Sequence, residues 1–249
     1  MLVVKRMIFI LLALLTIPLL GLLLPVPLFP LLDLSSVAAH ALYLVTFSGT
    51  VPWGIGFILL CLLLCWRLLP TRLFLPLLVA VTFSQSVGIV LNHELKQVFE
   101  EARPNIVWLA GSESAAQAFY QLPKAQKRQQ MNQWLQARSS ELPVPGYLQK
   151  HWRHELGYSF PSGHTQFAVS FALILCFFLL SDGRYGWAAG FAGWAAAMGL
   201  SRMLLGLHWP GDVLASTLIG AVLATLSVLV GIGFYRLMSR RFRMSRSSA

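Results

Sequence analysis

Three short stretches of this chain carry residue types that can act together on an anion. The stretch "SRMLLGLHWPGD" sets Ser201-Arg202 five residues ahead of His208, with Asp212 four positions further on. Pro210 suits the first position of a helix, and a carboxylate is favoured in the turn that follows, so Asp212 can reach back to one imidazole nitrogen of His208. Such a contact fixes the tautomer and raises the basicity of the other nitrogen. The stretch "GYSFPSGHTQF" opens a long apolar run. Ser162 suits an N-cap there, Gly163 permits close approach of a ligand, and the first-turn N–H groups make a ready anion site beside His164. The stretch "KQVFEEARP" separates Lys96 from Arg103 by seven positions. On one continuous helix these turn through about 700° and place both cations on one face, about 10 Å apart along the axis.

Each stretch alone has a plainer reading. Glu100 is able to pair with both Lys96 and Arg103 on a surface helix. Ser162 can be an ordinary cap beside a spectator His164. Arg202, His208 and Asp212 can be anchors at a membrane surface, although ionisable groups at the ends of apolar helices are functional by default. Taken together, they offer three cations, a helix N-terminus, two histidines and a carboxylate. That set can bind a phosphate dianion, attack it and protonate a leaving group.

The elements that must hold these residues are apolar helices. Of the 249 residues 57% are hydrophobic and 11% charged, where a soluble domain carries about 25% charged residues. Apolar runs of roughly twenty residues recur, the length that crosses a hydrocarbon core of about 30 Å. The expectation is an all-α polytopic membrane protein with six spans, near 7–24, 51–69, 73–92, 163–181, 186–205 and 211–236. Cys61, Cys65 and Cys176 all fall inside these runs without metal-ligand company. The net charge of +10 has no basic soluble domain to hold it, which excludes a nucleic-acid partner.

Charge then sets the orientation. Lys5, Arg6, Arg67, Arg72, Arg184, Arg236, Arg240, Arg241, Arg243 and Arg246 fall on one side, against the single acid Asp182. By the positive-inside rule that side is cytoplasmic, with both termini, and the three stretches face outward. Residues 93–160 hold eight basic and six acidic residues and form an extramembrane insertion in one domain spanning 1–249. Within it, "SAAQAFYQLPKAQKRQQMNQWLQARSSELP" reads as two polar amphipathic helices divided at Pro123, which either cap the outer mouth or rest on the lipid surface.

The motifs K-x6-RP, PSGH and SR-x5-H-x3-D, standing here as Lys96–Pro104, Pro161–His164 and Ser201–Asp212, resemble the signature of the type 2 phosphatidic acid phosphatase superfamily without departure. The six-helix plan and outward site are similar to that family too. The resemblance implies a metal-free and cofactor-free lipid phosphate phosphatase. In it His208 is the nucleophile that forms a phosphohistidine, Asp212 orients and activates it, and His164 protonates the leaving alkoxide. Lys96, Arg103, Ser162, Gly163 and Arg202 hold the phosphoryl oxygens. The sequence also offers no Asp/Glu cluster of the kind Mg²⁺ requires. The implied substrates are phosphatidylglycerophosphate, phosphatidic acid, lysophosphatidic acid, diacylglycerol pyrophosphate and undecaprenyl diphosphate, and the implied place is a bacterial inner membrane with the site facing the periplasm. A lipid phosphotransferase shares every motif and differs only in the acceptor. A transporter or flippase sets its polar groups near the midplane rather than at one face.

Overall fold

A computed structural model describes residues 2–247 and the side chains of residues 2–240. The side chains of Arg241, Arg243 and Arg246, counted in the basic tail, lie outside the described ones. The regular structure among the described residues is all helical: α1 (Leu2–Leu23), α2 (Val37–Ser48), α3 (Trp53–Leu68), α4 (Thr71–Phe99), α5 (Pro104–Ala110), α6 (Glu113–Tyr120), α7 (Lys124–Ala137), α8 (Gly146–His154), α9 (Gly163–Ser181), α10 (Tyr185–Leu204) and α11 (Pro210–Ser247).

Helix α9 is the axis of a bundle. It is apolar all round, which only a helix enclosed by others tolerates. It packs against α10, α11, α4 and α1. Of its most apolar stretch 78% is buried, against 11% for the peripheral α1. Small residues let the helices approach closely, as membrane bundles require. A Cβ on Gly231 of α11 would be driven against the Pro76 carbonyl oxygen of α4, and one on Gly220 would stand 3.0 Å from the Gln166 carbonyl oxygen of α9. Outward, α1, α3, α4 and α11 expose Leu12, Leu20, Leu60, Leu63, Ile89, Val90, Val222 and Leu229. An apolar surface of that extent is a liability in water and the natural contact face in lipid.

Among the described residues four segments are long and apolar enough to cross a membrane: Leu2–Leu23, Thr71–Ala110, Gly163–Ser181 and Pro210–Arg240. Helices α2 and α3, bent by 78° at their junction, make a fifth if taken as one span. The expected span at 51–69 is therefore a sixteen-residue helix, α3, propped against an unexpected twelve-residue α2. Ser36 caps α2 by accepting from the Ala39 N–H at 3.1 Å. Helix α10 matches the expected 186–205, but its glycines and its terminal Ser201-Arg202 keep it outside that group.

Residues 93–160 form a second core outside the bundle, with Ile106, Phe119, Tyr120, Met131, Leu148 and Trp152 buried together with Phe29, Leu205 and Leu207. The two amphipathic helices are present as α6 and α7, and Pro123 is the N-cap of α7. Helices α5 and α8 flank them. Chain direction alternates through the bundle, so the end of α4, the start of α9, the end of α10 and the start of α11 meet beneath this cap.

Candidate active site

The turn between α10 and α11 places the second histidine. Leu207 and His208 both donate their N–H groups to the Arg202 carbonyl at 3.0 Å, closing the helix end. Gly206 makes this turn possible: its φ is +72°, and a Cβ there would meet the Phe29 ring at 2.7 Å. Asp212, in the first turn of α11, accepts the Trp209 N–H at 2.9 Å, half of a capping box. The same oxygen, Oδ2, lies 3.2 Å from His208 Nδ1 and accepts a hydrogen bond from the Ser159 hydroxyl. A carboxylate on Nδ1 calls for the proton there and leaves the lone pair on Nε2. His208 is enclosed, and burial pushes its imidazole down to about 3 against the pull of Asp212. The ring is thus neutral over the whole physiological range, as a nitrogen nucleophile must be.

Nε2 of His208 faces Arg103, whose Nη1 is 3.4 Å away. The cationic stretch departs from its expected geometry. Helix α4 stops at Phe99, Glu100 adopts a left-handed conformation with φ of 41°, and Arg103 is the N-cap residue ahead of Pro104. Lys96 and Arg103 therefore share no helix face, and Glu100 pairs with neither. Instead both reach the segment that leads into α9. Lys96 donates to the carbonyls of Tyr158 at 2.7 Å and Ser159 at 3.3 Å, and Arg103 Nε donates to the Gly157 carbonyl at 2.8 Å.

At the start of α9, Ser162 is the N-cap, accepting from the Thr165 N–H at 3.3 Å. Its own N–H is taken by the Ser216 hydroxyl at 2.8 Å. Gly163 faces Asn92 so closely that a Cβ would stand 3.0 Å from the amide oxygen. His164 follows, with Nε2 3.0 Å from the Thr50 hydroxyl.

Sequence reasoning missed the residue at the centre. Glu155, just past α8, accepts from Arg103 Nη1 at 2.7 Å and from Arg202 Nη2 through the same oxygen. Its other oxygen lies 3.1 Å from His151 Nε2 and 3.6 Å from His164 Nδ1. Burial pushes the Glu155 carboxyl up, but the Arg202 and Arg103 guanidiniums outweigh it and hold the group well below the usual carboxylate range. Through this one carboxylate, Arg103, Arg202 and His164 are gathered next to His208. Ser159 and His151 were also missed. In a polar insertion a charged or hydroxyl residue is ordinary, and nothing in local sequence marks these three. Among the described residues no group of three or more His, Cys, Asp or Glu is placed to hold a metal ion. Cys61, Cys65 and Cys176 are free and buried.

Known proteins resemble this chain over most of its length. The profile of the PAP2 superfamily matches residues 73–236. Phosphatidylglycerophosphatase B of Escherichia coli K12 is 33% identical over 195 residues, covering 75% of this chain and 74% of that protein. The protein of the same name from Haemophilus influenzae is 31% identical over 189 residues, 73% of this chain and 77% of its own. An undecaprenyl-diphosphatase of Sulfolobus acidocaldarius is 37% identical over 73 residues, 29% of this chain and 34% of its own.

Proposed function

The chain belongs to the PAP2 superfamily, and from that premise we propose a multi-pass membrane phosphatase that removes the terminal phosphate of lipid phosphates through a phosphohistidine on His208. The observation that carries the reading is the pairing of His208 at its two nitrogens. Nδ1 is held by Asp212 at 3.2 Å while Nε2, free of a carboxylate, faces the Arg103 guanidinium at 3.4 Å.

In the first step the phosphate dianion lies against Arg103 and Arg202, with Lys96 and the Ser162–Gly163 turn completing its shell. Arginine forks suit phosphate oxygens bidentately, and fixed cations serve the charge of the transition state without rearrangement. Nε2 of His208 attacks phosphorus, the phosphorus–oxygen bond to the lipid breaks, and His164 gives its proton to the departing alkoxide. Asp212 stabilises the positive charge on the phosphorylated ring. In the second step His164, now neutral, takes a proton from water, the resulting hydroxide attacks phosphorus, and Nε2 of His208 leaves. Inorganic phosphate and a lipid alcohol, or a lipid monophosphate where the substrate is a diphosphate, are the products, and every proton is returned.

The tail remains in the bilayer throughout. A cavity of about 190 Å³ lies between α4 and α9, lined by Gly88, Asn92, Gly163 and Gln166. It opens beside the first turn of α9 and supports lateral access of a headgroup. Phosphatidylglycerophosphate is the first substrate to test, given the names of the relatives, followed by phosphatidic acid, lysophosphatidic acid, diacylglycerol pyrophosphate and undecaprenyl diphosphate. Six spans, a site on the periplasmic face of an inner membrane and cytoplasmic termini complete the reading, with residues 93–160 as the outer cap of a single domain. A cysteine at Ser139 should then react with an impermeant maleimide in spheroplasts and one at Ser247 should not.

The test of function is phosphate release by the purified protein across those five lipids, with EDTA present. Release that survives chelation and is inhibited by vanadate supports the reading. No release from any of them, or release that needs added Mg²⁺, overturns it.

A further inference from the structure

The anion that occupies the candidate phosphate site is part of the chain itself. Glu155 draws its hydrogen bonds from Arg103 and Arg202 and sits 3.6 Å from His164. These are the groups that a bound phosphate and its leaving oxygen need. A second anion cannot share these donors with the carboxylate, because two like charges at hydrogen-bond range from one guanidinium repel strongly where water is excluded. The Glu155 side chain keeps 15% exposure, against 5% for Arg103 and 0% for Arg202, although its Oε1 is enclosed.

We propose that Glu155 is a specificity-determining residue: a tethered carboxylate that holds the phosphate site against small phosphates and yields only to a phosphate anchored by a lipid tail. The inference rests on the phosphatase reading above. A tethered group competes at a high effective concentration, so free phosphate or a soluble phosphate ester faces a competitor that never dilutes. A lipid phosphate adds the binding energy of its tail in the α4–α9 cleft, and remote binding energy can be spent on displacing the carboxylate. The same device keeps the product from lingering. Once the tail has left with the lipid alcohol, inorganic phosphate is a small anion again, and Glu155 reclaims the arginines.

Helix α8 carries the device. It is packed into the cap core by Leu148 and Trp152, and the Trp152 indole N–H donates to the Leu205 carbonyl at 3.2 Å. Glu155 ties the end of this helix to Arg103 and Arg202. Withdrawal of the carboxylate frees the last turn of α8 and turns His151 away from its partner.

The experiment compares the wild-type protein with Glu155→Gln, which keeps the shape and removes the charge. Inhibition by inorganic phosphate and by vanadate should tighten about tenfold or more in the variant, and kcat/KM for p-nitrophenyl phosphate should rise relative to that for phosphatidic acid by a similar factor. Unchanged or weaker inhibition in a variant that still binds lipid phosphate overturns the proposal and makes Glu155 a scaffold for the arginines. A wild-type protein that neither binds vanadate nor releases phosphate from any lipid removes the phosphatase reading and this inference with it. A second measurement needs no variant. On saturation of the wild type with vanadate, amide hydrogen exchange in residues 146–154 should rise. Protection there, or no change, contradicts the displacement.

Discussion

The bundle and the cap are two cores built on different terms, and the candidate site is their seam. The bundle core centres on α9 and is apolar, with Phe171, Ile174, Leu175 and Phe178 buried beside Cys61, Cys65 and Cys176. It delivers His164, Arg202, His208 and Asp212 from the ends of long helices, and these ends are fixed by close helix contacts. The cap core is smaller, assembled from four short helices with Phe119, Tyr120, Met131 and Trp152, and it adds Glu155 and His151. Arg103, at the start of α5, bridges the two. The lesson is a division of labour: the rigid half holds the groups proposed to do the chemistry, and the half with less apolar burial per element controls which anion reaches them.

Substitutions can break that division or sharpen it, and the largest effect belongs to the bundle. His208→Ala should abolish turnover of every lipid phosphate, a loss on the order of 10⁴–10⁶. Steady-state phosphate release decides it, and residual activity within about a hundredfold of wild type would move the nucleophile elsewhere.

Next comes the cap. Trp152 is fully enclosed and packs edge-on to Phe29 at 5.9 Å between ring centres. Trp152→Ala should cost about 3–5 kcal/mol. If the two cores are distinct, the loss appears as proteolysis within residues 112–145 while the bundle keeps its helicity. A single transition in which cap and bundle melt together would show them to be one cooperative unit.

Gly231→Ala is the corresponding probe of the bundle, because its Cβ would be driven against the α4 backbone at Pro76. The overpacking should cost about 1–3 kcal/mol. The cap should be untouched, so thermal unfolding shifts while protease sensitivity in 112–145 does not. An opposite pattern would deny the separation.

The smallest effect is on pH. His208 has a folded-state pKa of about 3, below its ordinary value of 6.5, so between those values the unfolded chain binds the extra proton. The stability contributed by this group therefore falls as pH drops from about 6.5 towards 3, by up to about 1.4 kcal/mol per unit. Glu155, also held low, adds to the loss only below its unfolded value, near 4.5. Acid titration of unfolding in His208→Phe should differ in slope from wild type between about 6.5 and 4.5 by the share this one group contributes, and keep the Glu155 part below it. A variant that titrates like wild type would show that another group sets the slope.

The same contrast explains what could be read from the sequence. Ser162, His164, Arg202, His208 and Asp212 stood out because polar residues interrupting apolar runs are costly and therefore informative. Glu155 did not, because it is one of six acids among eight basic residues in 93–160, where charge is unremarkable. The Lys96–Arg103 geometry was misread because the helix breaks at Glu100 through a left-handed conformation that a glutamate rarely adopts and no glycine announced. Helix α2 was missed because twelve residues are too few to span and its neighbours are loop-like prolines. The helices α6 and α7 were legible from Pro123 and their amphipathic pattern; the seven-residue α5 was too short for a period to show, and the nine-residue α8, although Leu148, His151 and Trp152 share one face, was not read out of the insertion.

The central claim is that His208 takes the phosphoryl group and His164 serves the leaving oxygen, and one measurement separates them. A lipid alkoxide needs a proton as it departs, whereas nitrophenolate leaves unaided. His164→Ala should therefore fail on phosphatidic acid yet give a stoichiometric burst of nitrophenolate from saturating p-nitrophenyl phosphate, with an acid-labile phosphoenzyme that hydrolyses slowly. A burst from His208→Ala, or a His164→Ala variant equally inert on both substrates, would contradict the assignment.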